Sequence, residues 1–556
     1  MRRSGRGAAL AAAGAVAAAL AACAPRAASE GDRERGRIAS EAARNRAAGP
    51  LTRAERSGYA ETSRHADVLA FLDSLAAVAP GVVSLGTVGT TVEGRAIPYA
   101  IASRPLVRTP EEARRLGRPV VYVQGNIHGG EVEGKEALLA LLRDLARAPA
   151  PGVLDSVVLV AVPIYNADGN ERFGAQAANR SEQNGPELVG ERANAAGLDL
   201  NRDYVKAEAP ETRASLAMFA RWDPELFVDL HTTNGSYHGY ALTYAPSLTP
   251  AAPRAAHTRD ALLPELRRRV RARHGLETFD YGNFSLAYGA DVTPDTVKQG
   301  WFTYDHRPRF GTNYYGLRGA TALLSEAYSH DPFERRVRAT YAFVREALSL
   351  AAERPGELRA PAAAGGTVAV RAELTRTPYV GPVVAEDLVR TGDSTRTEPG
   401  VPRGLRRTGR FRTVRIPVHD RFTATLERPL PAAYLLGAGD TAAVRLLRLH
   451  GLRVDPITAP LSARVRVFVV DSVARAARPF QGHREATLAG RWSEPRAERV
   501  AAGGYVVPAA QRFAALAAYL LEPESDDGLA TWNLFDDRLR PGAAFPVRQA
   551  VALGAP

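Results

Sequence analysis

The sequence predicts an α/β fold for residues 51–355: a mostly parallel sheet covered by helices on both faces. Three observations carry that expectation. Apolar runs of strand length alternate with amphipathic helical patterns. His128, Asn166, His231 and Glu326 each follow directly on such a run, which gathers them at the carboxyl edge of a parallel sheet. The alternation stops at "ERPGELRAPAAAGG", a Pro/Gly/Ala linker.

The elements follow in order. "HADVLAFLDSLAA" (His65 to Ala77) places Val68, Leu72 and Leu75 at helical spacing. "PVVYVQGNI" (Pro119 to Ile127) reads as a buried strand, and "EVEGKEALLALLRDLARA" (Glu131 to Ala148) as the helix after it. Further strands are expected at Ser156 to Ile164, Glu225 to Leu230 and Ala320 to Ala327, with a closing helix from Phe333 to Ala352. Residues 366–556 form a second, mixed α/β accessory domain. It holds strands at "TVAVRAEL" and "RVRVFVV", and a strand–helix–strand unit whose helix is capped by Asp440 and stopped by Gly451. Its tail, "YLLEPESDDGLATWNLFDD", carries six acids and reads as a solvated or docking segment, with a calcium site as the alternative.

A chain of 556 residues exceeds one typical domain. Its single cysteine, Cys23, excludes internal disulfides and every multi-thiolate metal site, so any metal is held by His, Asp or Glu. The net charge of +12 comes from arginines spread along the chain, and Lys135, Lys206 and Lys298 are the only lysines. No nucleic-acid-binding motif accompanies that charge, and no nucleic-acid partner is expected.

The N-terminus accounts for the lone cysteine. "MRRSGRG" is basic, Ala8 to Ala22 is apolar but too short to span a bilayer, and the stretch ends in "LAAC". This resembles a bacterial lipoprotein signal: residues 1–22 are removed, Cys23 is lipidated, and residues 23–50 are a polar tether. The resemblance implies a membrane anchor in the cell envelope, with Ala24 favouring the outer membrane facing the periplasm; an ordinary cleaved secretory signal would also place the protein outside the cytoplasm.

Five further segments carry chemistry. "GNIHGGE" sets His128 and Glu131 three apart where a strand meets a helix, so that an imidazole and a carboxylate converge on one cation. That spacing arises by chance about once in a chain of this composition and needs its context. "PIYNADGN" (Pro163 to Asn170), "RANAAGLDLNRDY" (Arg192 to Tyr204), "VDLHTTNG" and "LLSEAY" supply it, with His231 and Glu326 closing apolar strands.

The order His-x-x-Glu, P-x-x-N-x-D-G, G-x-D-L-N-R, strand-ending His and strand-ending Glu resembles the zinc metallocarboxypeptidases, the carboxypeptidase A-like family, over about Gly58 to Ala352. The resemblance implies a mixed, mostly parallel sheet and one zinc ion held by His128, Glu131 and His231, with Asp199 orienting His128. It implies Glu326 as general base, Arg192 as oxyanion support, Asn201 and Arg202 as the grip on the substrate's terminal carboxylate, and, more loosely, Arg95 in "EGRAI" as a subsite arginine. The implied substrates are peptides with a free C-terminal carboxylate.

This sequence departs from the family's pattern at "NADG", where a proline commonly follows the asparagine, and at Asp203, where an asparagine is common. Tyr304, Tyr314 and Tyr315 compete for the family's active-site tyrosine. His238, His306 and His330 are left as structural. The rival readings are a cell-wall peptide or N-acyl amino acid amidohydrolase with the same zinc site, and a catalytically idle binding lipoprotein. No G-x-S-x-G and no H-E-x-x-H occurs, which disfavours serine hydrolysis and thermolysin-like chemistry.

Overall fold

A computed structural model describes residues 49–284, 299–359, 366–392 and 404–554, with Gly36 and Ser40. The expected signal peptide, Cys23 and nearly all of the tether lie outside the described residues.

Eight strands form the main sheet: β1 (Val83–Thr90), β2 (Ala96–Ala102), β3 (Val120–Gly125), β4 (Val158–Val162), β5 (Leu226–Thr232), β6 (Leu242–Pro246), β7 (Thr278–Asp280) and β8 (Thr321–Ala327). Their spatial order is β1-β2-β4-β3-β5-β8-β6-β7. The central four, β4, β3, β5 and β8, run parallel. β1 and β2 on one flank and β6 on the other join antiparallel, so the sheet is mixed and mostly parallel.

Period-two alternation sends side chains of the central strands to two cores. Val121, Val123, Val228 and Leu230 face one cluster with residues of α1 (His65–Val78), α2 (Glu133–Arg147) and α5 (Phe333–Glu353). Val120, Tyr122, Val160 and Phe227 face the other, where Leu216, Phe219 and Trp222 of α3 (Pro210–Trp222) pack. Helix α4 (Leu263–His274) keeps Leu266 and Val270 in the first core, while its Arg268 pairs with Glu265 on an exposed face. That arginine-rich helix thus has an apolar stripe and a solvated face, with Arg269 buried against Glu265 and Glu353.

The second core does not stop at the linker. It continues through Val368, Tyr434, Leu447, Phe468, Leu516 and Phe545, so the C-terminal region and the sheet bury one apolar body together. In that region β9 (Thr367–Leu374) pairs with β12 (Phe422–Pro429), and β10 (Tyr379–Arg390) with β11 (Leu405–His419). A six-stranded sheet takes most of the remainder.

Two local expectations there are corrected. "RVRVFVV" is two strands, Leu461–Arg466 and Phe468–Arg475, because Val467 exchanges hydrogen bonds with Ser493 and the chain changes sheets there. Asp440 stands at the N-cap of α6 (Thr441–Leu449), but its carboxylate accepts from Gly437 N and pairs with Arg538 instead of capping. Gly451, at φ +77°, follows the helix end as expected.

The acidic tail is a docking segment. Asp527 holds Arg309 and accepts from the Trp532 indole, Asp526 meets His306, and Glu522 meets Tyr434 and Gln549. Among the described residues it forms no metal-ligand cluster.

Candidate metal centre

The turn after β3 is wound around one side chain. Asn126, left-handed at φ +62°, donates its amide to the carbonyls of His128, Gly129 and Glu131 at 3.0–3.2 Å. Gly129 allows that turn to press on its neighbours: a Cβ there would lie 2.3 Å from Gly169 C and 2.5 Å from Glu191 O. Asn166 braces the same region, donating to Ile127 O and Arg192 O at 3.2 Å and capping the short helix that follows. These contacts account for much of "GNIHGGE" and "PIYNADGN" as scaffolding.

β5 and β8 supply the other two groups. Parallel pairing sets Glu326 opposite His231, and on the other side of β5 Gly125 pairs with Leu230. Three adjacent strand ends therefore deliver His128, His231 and Glu326 to one edge. That is the juxtaposition expected from the sequence.

One ligand atom each of His128, Glu131 and His231 lies within 4.8 Å of the others, all three residues buried. His128 Nδ1 is 2.8 Å from Glu131 Oε1 and His231 Nδ1 is 3.0 Å from Oε2. The opposite ring nitrogens face carboxylates: His128 Nε2 is 3.1 Å from Asp199 Oδ1, and His231 Nε2 is 3.1 Å from Asp229 Oδ2. Both imidazoles thus turn Nδ1 toward Glu131; His128 is held from behind by Asp199, the carboxylate–histidine arrangement that orients metal ligands, while His231 Nε2 has the Asp229 carboxylate nearby and Asn201 Nδ2 at 3.4 Å. Two imidazoles and a carboxylate fit zinc at an open catalytic site, and the residues present match the ion.

The electrostatics agree. Burial opposes ionisation of Glu131, yet His128 and Arg180 hold its carboxyl well below the ordinary range. Asp199 is likewise held low against burial by Arg192, His128 and Arg202. Glu326 behaves oppositely: burial raises its carboxyl to about 8, although His231 pulls it down. Its Oε2 is buried without a hydrogen-bond partner among the described residues.

These groups line one cleft of about 420 Å³, with Arg192, Asn201, Arg202, Tyr304 and Phe310. Arg192 bonds Asp199 through Nε at 3.0 Å and reaches within 3.6 Å of Glu131 Oε1. Asn201 accepts from Gly311 N at 2.8 Å, and the Arg202 guanidinium lies 3.9 Å over the Phe310 ring. Arg95 is not brought here: it pairs with Asp168 at 2.6 Å and with Glu93, away from the cleft lining, because Asp168 is fully buried and draws the guanidinium to itself. Of the three tyrosines only Tyr304 lines the cleft; Tyr314 bonds His450 and Tyr315 meets Ser215 in the core.

A family model for zinc carboxypeptidases matches residues 68–315. That segment is similar to the zinc carboxypeptidases. Carboxypeptidase 2 of Trichophyton equinum is 25% identical over 483 residues, 82% of this chain and 80% of that protein. Carboxypeptidase D of Mus musculus is 30% identical over 180 residues, 28% of this chain and 13% of that protein. Carboxypeptidase A of Helicoverpa armigera, a solved structure, aligns over 57% of this chain and 81% of its own at 17% identity and a TM-score of 0.38. The chain is a zinc-dependent metallopeptidase of the metallocarboxypeptidase type. The family match ends before Glu326, which reaches the same cleft through its register opposite His231.

Arg180, Asp229 and Gln481 also build the site and escape sequence reasoning. Arg180 is buried, sits 3.1 Å from Glu131 Oε1 and donates to the carbonyls of Thr232 and Thr233. Gln481, from the C-terminal region, accepts from Asp199 N at 2.9 Å. Asp229 lies two residues before His231 on the same strand face, a signal readable from strand alternation. Arg180 lies in an aperiodic loop and carries no such signal. Arg180→Ala is expected to weaken zinc binding by roughly 10- to 100-fold, as loss of a group supporting a ligand does. Competition with a chelator measures this, and wild-type affinity in the variant would refute it.

Proposed function

We propose that this protein removes C-terminal residues from peptides, with His128, Glu131 and His231 holding the zinc ion. The observation that carries the reading is one cleft lined by those three residues, Glu326, and the Asn201–Arg202 pair. Zinc supplies Lewis acidity toward water and the scissile carbonyl. Glu326, beside His231 in register, takes the proton from water and returns it to the leaving amine. Arg192, which lines the cleft, supports the negative charge that develops on the carbonyl oxygen. Asn201 and Arg202 bind the terminal carboxylate, for which a fixed planar guanidinium is suited. The name of carboxypeptidase 2, a relative matched over most of both chains, supports the same reading.

The proposed organisation is a lipoprotein signal at 1–22, a lipidated Cys23 with its tether to residue 50, the catalytic region at 51–355 and an accessory region from 366. It rests on the sequence alone, as does placement in the cell envelope.

A free-acid peptide and its C-terminal amide distinguish carboxypeptidase action from general amide hydrolysis. The amide is expected to lose on the order of 10- to 100-fold in kcat/KM, the worth of a hydrogen bond to a charged group. Equal rates on the two peptides would overturn the proposal.

A further inference from the structure

The segment 299–311 forms one wall of the cleft through Thr303, Tyr304, Asp305 and Phe310, and the C-terminal region fastens it at several points. Its short strand Trp301–Phe302 pairs with Val418 and His419 of β11, and Thr303 N donates to His419 O at 2.9 Å. His306 stands 3.3 Å from Asp526, its ring centred 4.6 Å from that of Phe422. Arg309 donates its backbone N–H and its Nε to Asp527 at 2.7 and 2.9 Å.

Beside that wall, two apolar side chains from the C-terminal region enter the cleft itself. Leu374 closes β9, Phe422 opens β12, and the two are register partners at the end of the ribbon. Both are only half-buried, so apolar surface remains turned toward the cleft. Asp305, the acid on that wall, is matched by Arg307 at 2.8 Å and offers no free charge to a basic side chain. A cleft side lined by Leu374, Phe422, Tyr304 and Phe310 suits an apolar group, which gains by leaving water there.

We propose that Leu374 and Phe422 form an apolar subsite for a substrate side chain next to the scissile bond, making the C-terminal region a determinant of specificity. This rests on the peptidase reading above.

The test uses the zinc-loaded full chain and N-blocked free-acid peptides carrying Leu or Gly at each of the two positions flanking the scissile bond. Wild type is expected to prefer Leu at one of those positions through KM. Phe422→Ala narrows that preference by on the order of 10-fold, with kcat kept, and Phe422→Leu restores most of it. Zinc content and melting temperature report whether each variant is folded. Should Phe422→Ala fail to fold, Leu374→Ala decides in its place. A KM rise equal for the Leu and Gly peptides, or an unchanged preference, overturns the subsite while leaving the peptidase reading standing. Failure of wild type to release any residue overturns both.

Discussion

Glu326→Gln is expected to lower kcat by on the order of 10²- to 10⁴-fold, the usual worth of a positioned general base, with zinc content unchanged. The amide keeps the shape of the carboxyl but cannot take a proton, and Glu326 is not among the three residues that converge on the metal. The pH profile gives an independent reading. A base works only when ionised, so wild-type kcat/KM rises with pH as Glu326 loses its proton. With burial outweighing the pull of His231 that midpoint lies at about 8, and a metal cation beside it draws the midpoint lower. The acid limb therefore falls at or below about 8 and disappears in the variant. Turnover unchanged in zinc-loaded Glu326→Gln would assign the proton transfer to another group.

His231→Ala is expected to weaken zinc binding by more than the roughly 100-fold that loss of a supporting group causes, and to abolish turnover with it. The imidazole is one of three groups that converge there among the described residues, and its removal also strips a partner from Glu131 Oε2. Zinc titration of the variant, with circular dichroism to establish that it is folded, measures the effect. Retention of zinc at wild-type affinity would break the assignment of the centre.

The expectations from sequence succeeded where pattern and chemistry coincide. β3, β4, β5 and β8 are buried on both faces, so they read as unbroken apolar runs, and the residues ending three of them meet at one edge. β1 was not legible: its burial is broken by exposed positions in "VSLGTVGT", and it joins the sheet by pairing with β2. Arg95 misled because its motif resembles that of a subsite residue, whereas buried Asp168 claims the guanidinium. Arg180 and Gln481 were invisible because each reaches the metal centre from a loop, Gln481 from 282 residues away along the chain.

The apolar body shared by the sheet and the C-terminal strands bears on how this chain withstands heat and protease. Tyr314 bonds His450, and His450 in turn bonds Val205 O, so a polar thread runs through that interior as well. Neither half can lose its fold without exposing the side chains that the other half rests on. Unfolding is therefore expected to be cooperative across the linker, as a single calorimetric transition would show.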